Sequence, residues 1–225
     1  MGEQEKLEIL QTHFSAWEHL SEKGKRGLVQ NSYFTTCKKG ETVHRGEQEC
    51  KGLIFVCKGM LRAYMMSDEG KEVPLYRMNE GEWCILSASC VISNITFDVH
   101  IDAERETELL IISAPYFRRM TTHNIYVECL AYKMATDGFS EVMWAMQQML
   151  FMSFDKRLAV FLWDESSACG SDTIKMTHEQ VAKHTGSARE VVTRMLKSFA
   201  GNGIVELSRG GIKIIDKEKL RKLTE

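Results

Sequence analysis

The chain has 225 residues, 44% hydrophobic and 27% charged, with a formal net charge of −2, enough chain for one large core or two modest ones. No apolar run nears the roughly 18 residues of a membrane span, and the polar, acidic start Met1-Gly2-Glu3-Gln4-Glu5-Lys6 is not a secretory signal, so a cytoplasmic protein is expected. Seven cysteines (Cys37, Cys50, Cys57, Cys84, Cys90, Cys129, Cys169) include no CxxC pair, which argues against a disulfide framework or a zinc site and for reduced, mostly buried thiols.

Residues 3–30 carry helical spacing through Leu7, Leu10, Phe14, Trp17 and Leu20, with Ser21 as the cap of a second short helix ending near Val29. From Tyr33 the period changes. Short β-rich runs such as Leu53–Cys57, Leu61–Met65 and Leu109–Ile112 alternate with Gly40, Gly46, Gly52, Gly59, Gly70 and Gly81, the pattern of a sandwich or jelly roll. Ser67-Asp68-Glu69-Gly70-Lys71 reads as a hairpin loop. Pro115 opens a helix. A long Pro-free helix then runs from Asn124 to about Met152. Along it Ile125, Glu128, Tyr132, Ala135, Phe139, Val142, Met146 and Met149 alternate in steps of three and four. That is a heptad seam for a dimer, although a helix packed on its own domain would show the same spacing. Gly138 allows a kink or a close approach there. Another helix covers 154–168, and Ser166-Ser167-Ala168-Cys169-Gly170-Ser171 is linker-like.

The most informative stretch is His178–Leu196. Val181 and Ala182 fall inside one short helix, Gly186 makes a turn, and Val192 and Met195 fall on the inner face of the next. This spacing packs two helices steeply, as in a helix-turn-helix. Ser187 and Glu190 form an S-x-x-E capping box for the second helix. Its groove-facing residues are expected to be Arg189, Glu190, Thr193 and Arg194, since arginine suits guanine O6/N7 and glutamate accepts from cytosine N4. Glu190 as a cap, or as an i,i+4 partner of Arg194, is the plainer alternative. Ile204–Leu207 and Ile212–Ile215 around Ser208-Arg209-Gly210-Gly211 read as a wing. Ser187, Lys175, Lys197, Arg209 and Lys213 are candidates for the DNA backbone, with Lys183 beside them. Charge follows the same division: residues 1–152 hold 16 Lys/Arg and 21 Asp/Glu, residues 153–225 hold 13 and 10, so only the rear is basic.

Lys39-Gly40-Glu41-Thr42, Arg45-Gly46-Glu47, Ile54-Phe55-Val56-Cys57-Lys58-Gly59, Asp68-Glu69-Gly70-Lys71-Glu72, Asn79-Glu80-Gly81-Glu82 and Arg189-Glu190-x-x-x-Arg194 occur in this order over nearly the whole length. In that order the chain resembles the catabolite-activator and fumarate–nitrate-reductase (CRP/FNR) regulators. The resemblance implies an α+β fold. It has a cyclic-nucleotide-binding-like β-roll (jelly roll) over 1–123, a dimerisation helix over 124–152 and a winged helix-turn-helix over 153–225. It further implies a homodimer seamed through Tyr132, Ala135, Phe139, Val142, Met146 and Met149, twofold double-stranded DNA sites, a TGTGA-like half-site and RNA polymerase as a partner. A small-molecule effector would sit in the β-roll near Glu82, Cys84, Leu86, Ser87, Cys90, Val142 and Met143.

The chain departs from the nucleotide-binding members. Residues 78–104 contain no Arg or Lys, and a phosphate buried without a cation carries a large desolvation penalty. Neither cAMP nor cGMP is therefore expected to bind. The iron–sulfur branch needs clustered N-terminal cysteines, and the first here is Cys37. Haem held by His44, His100, Cys84 or Cys90, a thiol switch at Cys84 and Cys90, and a small apolar effector remain as alternatives, so the cofactor is unknown. A cupin-type metalloenzyme needs a His-x-His pair; the seven histidines supply none, and no catalytic or metal site is expected.

Overall fold

A computed structural model describes residues 2–45, 51–70, 72–84 and 99–224. Packing divides the chain into two compact units, Met1–Gly70 with Leu75–Met143, and Lys71–Pro74 with Trp144–Glu225.

The first unit opens with α1 (Glu3–His13), a 3-10 turn at Trp17–His19 and α2 (Glu22–Gln30). The Ser21 hydroxyl caps α2 by accepting from Gly24 N at 3.1 Å. Among the described residues eight strands follow: β1 (Ser32–Cys37), β2 (Thr42–His44), β3 (Gly52–Lys58), β4 (Met60–Met66), β5 (Glu72–Asn79), β6 (Trp83–Cys84), β7 (His100–Ala103) and β8 (Thr107–Ser113). They form two four-stranded sheets in the orders β1-β8-β3-β6 and β2-β7-β4-β5. The pairs are antiparallel, with Ile54 opposite Ile111 and Leu61 opposite Ala103. Side chains of both sheets, including Ile54, Leu110, Leu61 and Ile101, enter one core with Leu10, Phe14 and Leu28. At Gly52 the backbone has φ +112°, and any Cβ would collide with the Ile112 carbonyl, so glycine is required where β3 meets β8.

Pro115 lies in the first turn of α3 (Ala114–His123). Asn124 then caps α4 (Ile125–Phe151), its Oδ1 accepting from Tyr126 N and Val127 N at 3.0 and 3.3 Å. Among the described residues, none outside the helix's own backbone lies within 4 Å of a Cβ placed on Gly138.

The two faces of α4 differ from the expected seam. Val127, Ala131 and Val142 are buried in the first core. Ile125, Cys129, Tyr132, Thr136, Phe139, Met143, Met146 and Leu150 are all exposed, Phe139 at 63% and Leu150 at 70%. The exposed stripe thus keeps one expected row (125, 132, 139, 146). The other row shifts one residue along, from 128, 135, 142, 149 to 129, 136, 143, 150. Val142, 8% exposed, is a core residue instead, and Ala135 and Met149 are half-buried. A rotation of one residue is about 100° on a helix, and the spacing alone does not reveal which of two overlapping apolar faces meets the sheets.

In the second unit α5 (Phe154–Cys169) continues through Ser166–Cys169, the stretch expected to be a linker, and ends at Gly170 in the left-handed region. Then come β9 (Thr173–Ile174), α6 (His178–Thr185), α7 (Arg189–Gly201), β10 (Val205–Ser208), β11 (Gly211–Ile214) and α8 (Lys217–Thr224). The strands form one sheet ordered β10-β11-β9. No described helix is long and apolar enough to cross a membrane.

Candidate nucleic-acid interface

The second unit is built around one core made by every element from α5 to α8: Leu158 and Leu162, Val181 and Ala182, Val192, Leu196 and Phe199, Ile204 and Ile212, and Leu220. Burying the Val192–Leu196–Phe199 face of α7 leaves its opposite face in solvent.

Two local devices fix α7 against α6. The first is a capping box, formed at α6 rather than α7. Thr177 Oγ1 accepts from Gln180 N at 3.2 Å, and Gln180 Oε1 accepts from Thr177 N at 2.8 Å. The second is the turn. Gly186 ends α6 at φ +63°, and both Gly186 N and Ser187 N donate to Ala182 O, a glycine-closed helix end. Because Ser187 is committed to that exit, the Ser187–Glu190 box does not form. The residue before α7 is Ala188, and no side chain caps the helix.

The exposed face of α7 gathers Arg189, Glu190, Thr193, Arg194 and Lys197 around one concavity of about 440 Å³. Arg189, Glu190, Arg194 and Lys197 are exposed and Thr193 is half-buried. All four expected base-contacting residues therefore lie together, with Lys197 beside them. Ser187, Lys175, Arg209 and Lys213 do not line this concavity. Lys175 follows β9, Arg209 occupies the β10–β11 turn and Lys213 is exposed on β11.

One residue in contact with this face is absent from the expected set. His178, at the start of α6, places Nδ1 2.9 Å from Thr193 Oγ1. Burial, then the Arg189 and Lys197 charges, lower its pKa below the usual imidazole value. The spacing of either helix alone carries no signal for it, because the contact joins two helices.

The expected effector residues fare differently. Leu86, Ser87 and Cys90 lie outside the described residues. Cys84 and Val142 enter the same core. Glu82 is exposed, with Oε2 accepting from Asn79 N at 2.8 Å across the β5–β6 turn. Met143 is exposed on the α4 stripe. The buried cation described in this unit, Arg62, is held 3.6 Å from Asp102 and 3.8 Å from Glu104 and lies over the Tyr64 ring.

Comparison with known proteins follows the same division. Residues 34–124 match the cyclic nucleotide-binding domain and residues 156–223 the Crp-like helix-turn-helix domain. A solved structure from Eubacterium rectale, described as a CRP/FNR-family transcriptional regulator, is 41% identical. The match covers 95% of this chain and 99% of that one, with a TM-score of 0.92. This chain belongs to the CRP/FNR family of transcriptional regulators. Curated relatives of this regulator include the cAMP-activated global transcriptional regulator Vfr of Pseudomonas aeruginosa, 23% identical over 75% of this chain and 82% of the relative. The transcriptional activator protein FnrA of Stutzerimonas stutzeri is 24% identical over 80% of this chain and 75% of the relative. The relatives are regulators, not enzymes.

Proposed function

We propose that this regulator binds twofold operator DNA as a homodimer, setting the N-terminal end of α7 into the major groove. The observation that carries the reading is the α7 face itself: two guanidiniums, a carboxylate, a hydroxyl and an ammonium around one concavity, on a helix whose other face is anchored in the core. Arg189 and Arg194 have the fork that matches guanine O6/N7, and Glu190 suits cytosine N4. A TGTGA-like half-site fits that set. The first turn of α7, uncapped by any side chain, leaves amides to meet phosphate. Ser187, Lys175, Lys197, Arg209 and Lys213 are proposed to hold the backbone and fix register.

The dimer is proposed to form along the exposed α4 stripe, since a protomer that leaves Tyr132, Phe139, Met143, Met146 and Leu150 in water gains about 25 cal/mol per Å² by covering them. A homodimer matches the twofold symmetry of an operator. By domain, residues 1–123 are the sensing part, 124–152 the dimer helix and 153–225 the DNA head. RNA polymerase is the proposed downstream partner.

The effector is proposed not to be cAMP or cGMP. Residues 78–104 bring no cation, and Arg62 is already engaged by two carboxylates. Calorimetry with cAMP is expected to give no binding heat; saturable micromolar binding would overturn this. A thiol switch needs an exposed, activated thiolate. Cys84 is buried, and burial pushes Cys57 up to about 11. Of the histidines that could hold haem, His44 is buried and the His100 ring stacks on Tyr64 at 5.3 Å.

Selection from a randomised duplex pool tests the DNA reading. The expected product is an inverted repeat whose enrichment is lost in Arg189→Ala; an unenriched pool contradicts the reading.

A further inference from the structure

We infer that His178 is a positioning and specificity-determining residue of the DNA-reading face: by trading donor and acceptor roles with Thr193, it decides whether the Thr193 hydroxyl offers a proton or a lone pair to a base edge. The inference rests on the reading above that α7 enters the groove, and deepens it.

His178 stands on α6 and Thr193 on α7, with Nδ1 and Oγ1 2.9 Å apart. Thr193 lines the same concavity as Arg189, Glu190, Arg194 and Lys197. A hydroxyl has one proton to give and two lone pairs. When the neutral ring carries its proton on Nε2, Nδ1 accepts, and the Thr193 proton is spent on the ring. The hydroxyl then offers DNA only lone pairs, which suit the amino groups of adenine and cytosine. When the ring is charged, both nitrogens bear protons and Nδ1 only donates. The Thr193 proton is then released toward N7, guanine O6 or thymine O4. The neutral ring permits the first mode; the charged ring permits only the second.

The surroundings couple this choice to DNA. Burial acts first to disfavour the imidazolium, and the charges that add to it are Arg189 and Lys197, both from α7. Helix α5 also packs on α6, but the charges that shift the ring come from α7. In free protein both effects favour the neutral ring. Phosphates drawn to Arg189 and Lys197 offset those two cations and favour the charged ring. The pKa rises on binding, so the donor mode takes up a proton. Its contribution to affinity is complete below the free-protein value, which is lowered from that of an ordinary imidazole, and is lost as pH rises through the higher value of the complex.

The test selects duplexes from a randomised pool with the full chain at about pH 6 and about pH 8, bracketing the imidazole range, then measures affinity by fluorescence anisotropy. In the wild type, one position per half-site is expected to move about tenfold from acceptor edges at the lower pH toward amino edges at the higher. His178→Asn keeps a hydrogen-bonding group near Nδ1 but does not titrate, and should hold one preference at both pH values. Thr193→Val should lose discrimination at that same position. A wild type with identical preferences at both pH values, or a His178→Asn variant that still shifts, overturns the inference while leaving operator binding standing. A wild type that enriches no sequence overturns both.

Discussion

Helices α4 and α7 each bury one face in their own core and turn the other to solvent, but the two exposed faces carry opposite chemistry. On α4 the outward stripe is apolar and aromatic, with Tyr132, Phe139, Met143, Met146 and Leu150 exposed. On α7 it is Arg189, Glu190, Arg194 and Lys197. An apolar stripe gains by leaving water and so fits another protein surface. A cationic, hydrogen-bonding face keeps its hydration until it meets a partner with matching charge and edges, and phosphate and bases supply both. The same device, an amphipathic helix with one face anchored, is proposed to serve assembly in one place and recognition in the other.

The comparison is broken most sharply at α4. Phe139→Asp puts a charge in the middle of the stripe and is expected to cost about 2–4 kcal/mol per copy. Analytical ultracentrifugation should show a monomer, with a lower melting temperature that no longer rises with protein concentration; an intact dimer would reassign the stripe. On α7, Arg194→Ala should weaken operator binding by about 1–3 kcal/mol per half-site in anisotropy titrations. It should leave both dimer and melting temperature alone, because Arg194 has no part in the core. Val142→Ala tests the inward face of α4: a loss of about 1–2 kcal/mol in urea unfolding is expected, with the protein still dimeric. The smallest effect belongs to the α6 cap. Thr177→Ala should cost about 1 kcal/mol of stability, visible as a lower urea midpoint, with no change in which operator is preferred.

Most of the architecture could be read from the chain, for physical reasons that particular residues make plain. Gly186 and Gly210 mark turns because they take positive φ, at +63° and +80°. Val181, Ala182 and Val192 show the helix pair because their small or branched side chains must pack together. What could not be read depended on partners distant in sequence. The choice between rows 128–149 and 129–150 on α4 depends on which face the sheets claim. The start of α7 depends on Ser187 being drawn into the end of α6. The His178–Thr193 bond joins residues fifteen apart, a pairing no local pattern announces. The short strand β9 and the helix α8 escaped for a simpler reason: two residues give no period, and Lys217–Thr224 is dominated by charge.

The central claim is tested most directly by half-site spacing. The selected half-site is placed twice in a duplex, with centres one helical turn apart or one and a half turns apart, and titrated with full-length protein. Two chains per duplex and much tighter binding at one turn are predicted, with that advantage erased when Arg189 and Arg194 are both changed to Ala. Equal affinity at the two spacings, or an advantage that survives the double substitution, would contradict a dimer reading base edges through α7.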